Sequence, residues 1–147
     1  MKQAGLTIID APQNEVNGGS IRLAAVRLDS PSSSNVSPEA ISLMEQEKNH
    51  NIPSIATFRS FQENAERQKT DLIKLLHELK KAGKTVVGYG ASTKGNVILQ
   101  YCGISTDLLS CIGDITPFKD GTYTPGTKIP IVSMEKAKAM KPDYFLV

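Results

Sequence analysis

At 147 residues the chain has the length of one ordinary domain and can bury a two-layer core. Hydrophobic content of 39%, charged content of 22% and a net charge of +2 exclude a disordered chain. Dispersed lysines, with no more than the pair Lys80 and Lys81 together, argue against a nucleic-acid surface, and no apolar run approaches membrane-spanning length.

Neither nucleic acid nor membrane is therefore an expected partner, and without a signal-peptide core the expected location is the cytoplasm. Cys102 and Cys111 lack metal or redox spacing and are expected to be reduced and semi-buried; no metal site is expected. Met1 to Gly5 reads as the last turn of a helix and Asp143 to Val147 as an apolar strand that stops. Both edges suggest a fragment of a larger protein.

Leu6 to Asp10 and Ser20 to Leu28 are aliphatic, β-branched runs joined by a polar stretch with Asn17-Gly18-Gly19, which predicts an antiparallel strand pair. Pro31 to Asn35 is a serine-rich breaker. Ser37 followed by Pro38 then offers an N-cap and a first helical residue, opening a helix through about Lys48. Asn49 to Pro53 interrupts. From Ser60 to Ala82, Phe61, Ala65, Leu72, Leu75, Leu76 and Leu79 recur at three and four, as one face of a long helix that Gly83 ends. Glu63, Arg67, Lys74, Glu78 and Lys81 form its solvated face.

Strand and helix alternate thereafter: a strand over Thr85 to Tyr89, a helix over Thr93 to Tyr101, strands over Leu108 to Ile115 and Ile129 to Val132, a short helix over Met134 to Met140, and a strand over Tyr144 to Val147. Strands joined through helices need right-handed crossovers and give a parallel sheet. The fold class is thus α/β: a Rossmann-like, mainly parallel sheet flanked by helices, with an N-terminal antiparallel strand pair. Its expected parts are 1–36 for the strand pair and linker, 37–83 for the helices and 84–147 for the Rossmann-like unit.

The turn "GYGASTKGN" sits between a buried strand and an apolar helix. A helix start leaves backbone N–H groups unpaired and partly positive, which suits an anion. Gly88 and Gly90 permit a sharp turn and close approach; Ala91 continues the turn; Ser92 and Thr93 bring hydroxyls, Lys94 a charge and Asn96 an amide donor. Together they suit a diphosphate. The spacing misses both the dinucleotide fingerprint and the P-loop, so a plain strand-to-helix turn with a Ser/Thr cap stays open beside that reading.

A second loop, "DITPFKDGTYTPGTKIP", reaches the same carboxyl edge of the sheet and is long enough to be functional. It carries Asp114, Lys119, Tyr123 and Lys128. Asp114 stands where an acidic residue meets a ribose hydroxyl, or else simply forms the turn. His77 reads as a boundary residue of the long helix, and His50 is given no role.

The series "NGGSIR", "GKTVVGYGASTKGN", "YCGI", "GDITPFKDGTYTPGTKIPI" and "KPDYFLV" resembles the C-terminal domain of S-adenosylmethionine-dependent C-methyltransferases acting on nucleotide-linked deoxysugars, over essentially the whole chain. The resemblance implies an upstream zinc-binding segment and an upstream domain that binds S-adenosylmethionine, with no cofactor expected in the present chain. It further implies that the partner is a nucleotide-diphosphate sugar, methylated beside its ketone after a base removes the α-proton. The acid/base residues belong to a Tyr/His/Glu/His segment upstream, so no catalytic residue is expected here and the chain is expected to be inactive alone.

The diphosphate would then meet Gly88, Gly90, Ala91, Ser92, Lys94 and Asn96, with Asp114, Lys119 and Tyr123 from the long loop and Gly18, Gly19 and Ser20 toward the sugar. Asn17 stands where the family often has histidine and cannot act as a base, and the family's Trp-His-Phe-type continuation after the last strand is missing. The alternative is a stand-alone nucleotide- or phosphate-binding module. A nicotinamide-dependent oxidoreductase is disfavoured by the glycine spacing.

Overall fold

The first strand, β1 (Leu6–Asp10), pairs antiparallel with β4 (Ala24–Arg27), Leu6 opposite Arg27, and slips register between Ile8 and Asp10. The computed structural model describes residues 1–52 and 54–147, and the side chain of Asn17 also lies outside the description. Two compact units are present, Met1–Phe61 and Gln62–Val147.

In the first unit the expected second strand divides in two. Its first part is β3 (Ser20–Ile21), which pairs with β2 (Gln13–Asn14), and its second part is β4. The break follows from a change of partner, because Arg22 N–H donates to Pro12 O at 3.0 Å. Helix α1 (Pro38–Asn49) begins as Ser37-Pro38 predicts: Ser37 Oγ accepts the Ala40 N–H and donates to Asp10 Oδ1 at 2.7 Å, fastening the helix to β1. The expected interruption at Asn49 to Pro53 ends on Pro53, which is outside the described residues.

Helix α2 (Ile55–Lys81) starts five residues before the expected Ser60, because Ser54 Oγ accepts the Ala56 N–H and serves as the cap. It ends at Gly83, whose φ of +70° lets Lys84 N–H return to Leu79 O. Within the second unit Leu72, Ile73, Leu76 and Leu79 face the core, whereas Leu75 is about half exposed at the margin of that face. Phe61, expected on the buried face, is 72% exposed.

The sheet of the second unit is parallel throughout, in the order β7-β6-β5-β8, with β5 (Val86–Tyr89), β6 (Ile112–Asp114), β7 (Ile131–Ser133) and β8 (Tyr144–Leu146). The α/β class, the parallel sheet and the antiparallel pair are as the periodicity predicts. Helix α3 (Thr93–Cys102) joins β5 to β6, and α4 (Met134–Ala139) leads from β7 to β8. The chain steps outward from β5 through β6 to β7 and then returns past its start, so the order reverses between β5 and β8. Ligands of open α/β sheets bind outside the carboxyl ends at such a reversal.

The strand expected over Leu108 to Ile115 shrinks to three residues. Leu108 and Leu109 N–H both return to Ser105 O, so that part of the apolar run is a turn, with Leu109 buried in the core. The main core joins Leu76 of α2, Leu99 of α3, Val86 and Ile112 of the sheet, and Ile104 and Ile129 from the loops. Val87, Cys111 and Ala137 form a smaller core under α4. Both cysteines are free and buried, and burial pushes both thiols up, against a reactive role. No helix among the described residues is long and apolar enough to cross a membrane.

Candidate functional site

The carboxyl end of β5 opens into a cleft of about 550 Å³, within the range of small-molecule sites. Gly88 to Thr93, Gly95 and Asn96 form one wall, Lys119, Thr124 and Pro125 a second, and Leu146 at the end of β8 with Val147 beyond it a third. Leu72, Ile98, Leu99 and Ile112 make the interior apolar. The site therefore spans the reversal between β5 and β8.

Each wall residue is placed by local chemistry. A Cβ on Gly88 would lie 2.8 Å from Ile112 Cγ1, so the glycine lets β5 and β6 approach at the cleft floor. Gly90 has a φ of +86°, which turns the chain out of β5 while its N–H still donates to Gly113 O at 2.7 Å. Ser92 caps α3, its Oγ accepting the Gly95 N–H at 3.0 Å; the cap leaves the hydroxyl proton for a ligand. Asn96 N–H donates to Ser92 O, while Asn96 Oδ1 is buried and has no hydrogen-bond partner among the described residues. An orphan acceptor of that kind calls for a donor.

Asp114 is engaged inside the protein. Oδ2 accepts the Ala91 N–H at 2.7 Å and the Lys119 ammonium at 3.0 Å, and Oδ1 accepts the Thr116 N–H at 2.8 Å. Lys119 Nζ also donates to Ala91 O at 2.9 Å. Burial alone would raise the Asp114 carboxyl, but the bonds from Thr116, Lys119 and Ala91 overcome it and hold the group well below the usual carboxylate range. Of the two expected roles, ribose contact and turn former, these bonds supply the second: Asp114 braces the turn after β5 against the long loop. The Ala91 N–H, expected on a phosphate, is spent on the same brace, whereas Lys119 keeps a third proton at the cleft wall.

The other expected residues are spread more widely. Gly88, Gly90, Ala91, Ser92, Asn96 and Lys119 line the cleft together. Lys94 is exposed on the first turn of α3 and is not among the lining residues. Tyr123 is 65% exposed, bridged to Pro130 in the loop, and also stands off the cleft wall. Gly18, Gly19 and Ser20 belong to the first unit, where Ser20 Oγ donates to Val16 O at 2.8 Å. The sequence argument overlooked Leu146, Val147, Thr124 and Pro125, because only the strand order brings β8 and the far end of the long loop to β5. His50 Nδ1 lies 2.8 Å from Gln46 O at the end of α1, His77 is exposed, and no metal-binding cluster occurs among the described residues.

The family of C-methyltransferase C-terminal domains matches residues 15–147, which takes in the whole second unit, the first from residue 15 onward, and every wall of the cleft. The chain belongs to this family. Among its relatives is C-methyltransferase NovU of Streptomyces niveus, 34% identical over 143 residues that cover 97% of this chain and 34% of NovU. This C-methyltransferase C-terminal domain thus spans about a third of the length of the relative it matches. Its cleft lies wholly in the second unit.

Proposed function

We propose that this chain is the nucleotide-sugar-binding domain of an S-adenosylmethionine-dependent C-methyltransferase, acting on a carbon beside the ketone of a nucleotide-linked deoxysugar. One observation carries the reading: an apolar cleft at the reversal of the sheet has the start of α3 and the Lys119 ammonium on its walls. The apolar interior suits a base or sugar ring. The diphosphate would lie at the Ser92 and Thr93 hydroxyls, drawn by the positive end of the helix, by Lys119 and by the charge of Lys94 on the first turn of α3. A substrate donor would satisfy Asn96 Oδ1.

S-adenosylmethionine supplies an electrophilic methyl group on a sulfonium. The described cleft lining does not fit its cationic amino-acid and sulfonium end, because no carboxylate is among the lining residues and the nearby Asp114 already accepts from Ala91, Thr116 and Lys119. We assign the donor and the base that removes the α-proton to the remainder of the enzyme, which leaves this domain inactive alone. Its own task is to hold and orient the nucleotide sugar. Two unpaired cysteines suit a cytoplasmic setting.

Calorimetry of the full-length enzyme with thymidine, uridine, guanosine and cytidine diphosphates tests the reading. At least one should bind, and Lys119→Ala or Lys94→Ala should weaken it by about tenfold to a hundredfold, as expected for a charge-assisted hydrogen bond of ~1.5–3 kcal/mol. Failure of all four to bind folded enzyme would remove the nucleotide from the proposal.

A further inference from the structure

Parallel sheets are ordinarily covered on both faces, since their crossovers lay helices on either side. Here the coverage is unequal. The face bearing Val86 and Ile112 meets α2 and α3. On the opposite face, α4 seats Ala137 against Val87 and Cys111 and stops there. Phe145, the register partner of Val87, is 37% exposed, and Tyr89, two residues beyond Val87 on the same face, is 46% exposed. Their rings meet edge to face with centroids 5.9 Å apart. Met140 approaches Cys111 with 3.6 Å between sulfurs and is 55% exposed. Two aromatics on bare sheet, with a methionine at the end of α4 beside Cys111, thus mark this face, a composition typical of the buried centre of an interface.

We propose that this face is the docking surface for the remainder of the C-methyltransferase, the part assigned above to hold the methyl donor; the inference rests on that functional reading. Two observations select this occupant over a second copy of the chain. About two thirds of NovU lies outside the match, so an enzyme of that length has ample chain to cover the face. The face is also continuous with the cleft, because Tyr89, in edge-to-face contact with Phe145, belongs to both. A partner seated on Phe145 and Met140 would reach the cleft mouth between β5 and β8, where the substrate carbon must meet a methyl group this domain does not hold.

The test uses full-length enzyme carrying the photocrosslinker p-benzoylphenylalanine at position 145, with the crosslinked peptides identified by mass spectrometry. Illumination should join position 145 to the part of the same polypeptide outside these 147 residues. Met140→Ser should lower kcat for methyl transfer by about tenfold, as for loss of an interface anchor, while nucleoside diphosphate affinity is unchanged. Crosslinks confined to a second polypeptide overturn the proposal in favour of self-association. Absence of any crosslink, with kcat of Met140→Ser unchanged, overturns it outright. If wild-type enzyme binds no nucleoside diphosphate, the nucleotide reading falls, and the crosslinked position still decides the docking surface.

Discussion

The Ala91 amide donates to Asp114 Oδ2 at 2.7 Å, so an anion already sits at the turn after β5, and it is the protein's own. The same oxygen holds the Lys119 ammonium at 3.0 Å. Three segments, the end of β5, the end of β6 and the long loop, therefore share one carboxylate. The diphosphate proposed above would meet α3 at Ser92 and Thr93 and not at the Ala91 amide, which the internal carboxylate already occupies.

Asp114→Ala should destabilise the domain by about 2–5 kcal/mol, because it leaves the Ala91 and Thr116 amides and a part-buried ammonium without their partner. Urea unfolding measures the loss. Asp114→Asn, which keeps an acceptor but not the charge, should lose less. Equal stability of Asp114→Ala and wild type would show that the brace contributes nothing.

Gly88 and Gly90 stand two residues apart and should respond differently to alanine. At Gly88 the added Cβ would meet Ile112 Cγ1 at 2.8 Å, so the buried Ile112 side chain or its strand must shift, at about 1–3 kcal/mol. At Gly90 nothing lies within 4 Å, and the cost is the left-handed φ of +86°, about 1–2 kcal/mol. Chemical denaturation gives both values. Nucleoside diphosphate binding should survive Gly90→Ala better than Gly88→Ala, because the latter moves the cleft floor.

Asp143 predicts a dependence of stability on pH. Its carboxylate accepts the Thr85 N–H at 2.8 Å, the Lys84 ammonium at 2.9 Å and the Thr85 hydroxyl at 2.9 Å, which together lower it to about 2. A depressed carboxyl stabilises the fold above its unfolded value, about 3.9, and that contribution disappears as pH falls through about 2. Asp143→Asn should therefore flatten the change in urea midpoint between about pH 4 and pH 2. Asp114, also depressed, contributes to the same acid transition and should leave a residual slope in the variant.

Much of this architecture was legible in the sequence because its signals are local. Ser37-Pro38, Ser92 and Gly83 mark helix ends through hydrogen bonds made within a few residues, and the structure makes those bonds. The start of α2 was missed because Ser54 follows a break that masks the cap, and β6 was overextended because a buried turn at Leu108 and Leu109 has the same apolar composition as a strand. At the cleft the glycines and the cap were evident, whereas the third wall depends on β8 returning beside β5, a long-range pairing with no local signature. The role of Asp114 stays open between ribose contact and turn former in the sequence for a related reason: its partner Ala91 lies 23 residues away, and spacing cannot reveal that its lone pairs are engaged.

Asn96 offers the sharpest separation of stability from function. Its Oδ1 is buried at the cleft wall without a hydrogen bond among the described residues, a condition that costs about 1–3 kcal/mol until a donor arrives. Asn96→Leu removes the orphan acceptor and keeps a side chain of similar size among Leu72, Leu99 and Ile98. Ligand-free protein should consequently become equally or more stable by thermal denaturation. If the acceptor awaits a donor on the nucleotide sugar, the same substitution should weaken binding by about tenfold or more, since the ligand's donor would then be buried unpaired. A variant that loses stability and keeps its affinity would show that Asn96 serves the packing of α3 and has no part in recognition.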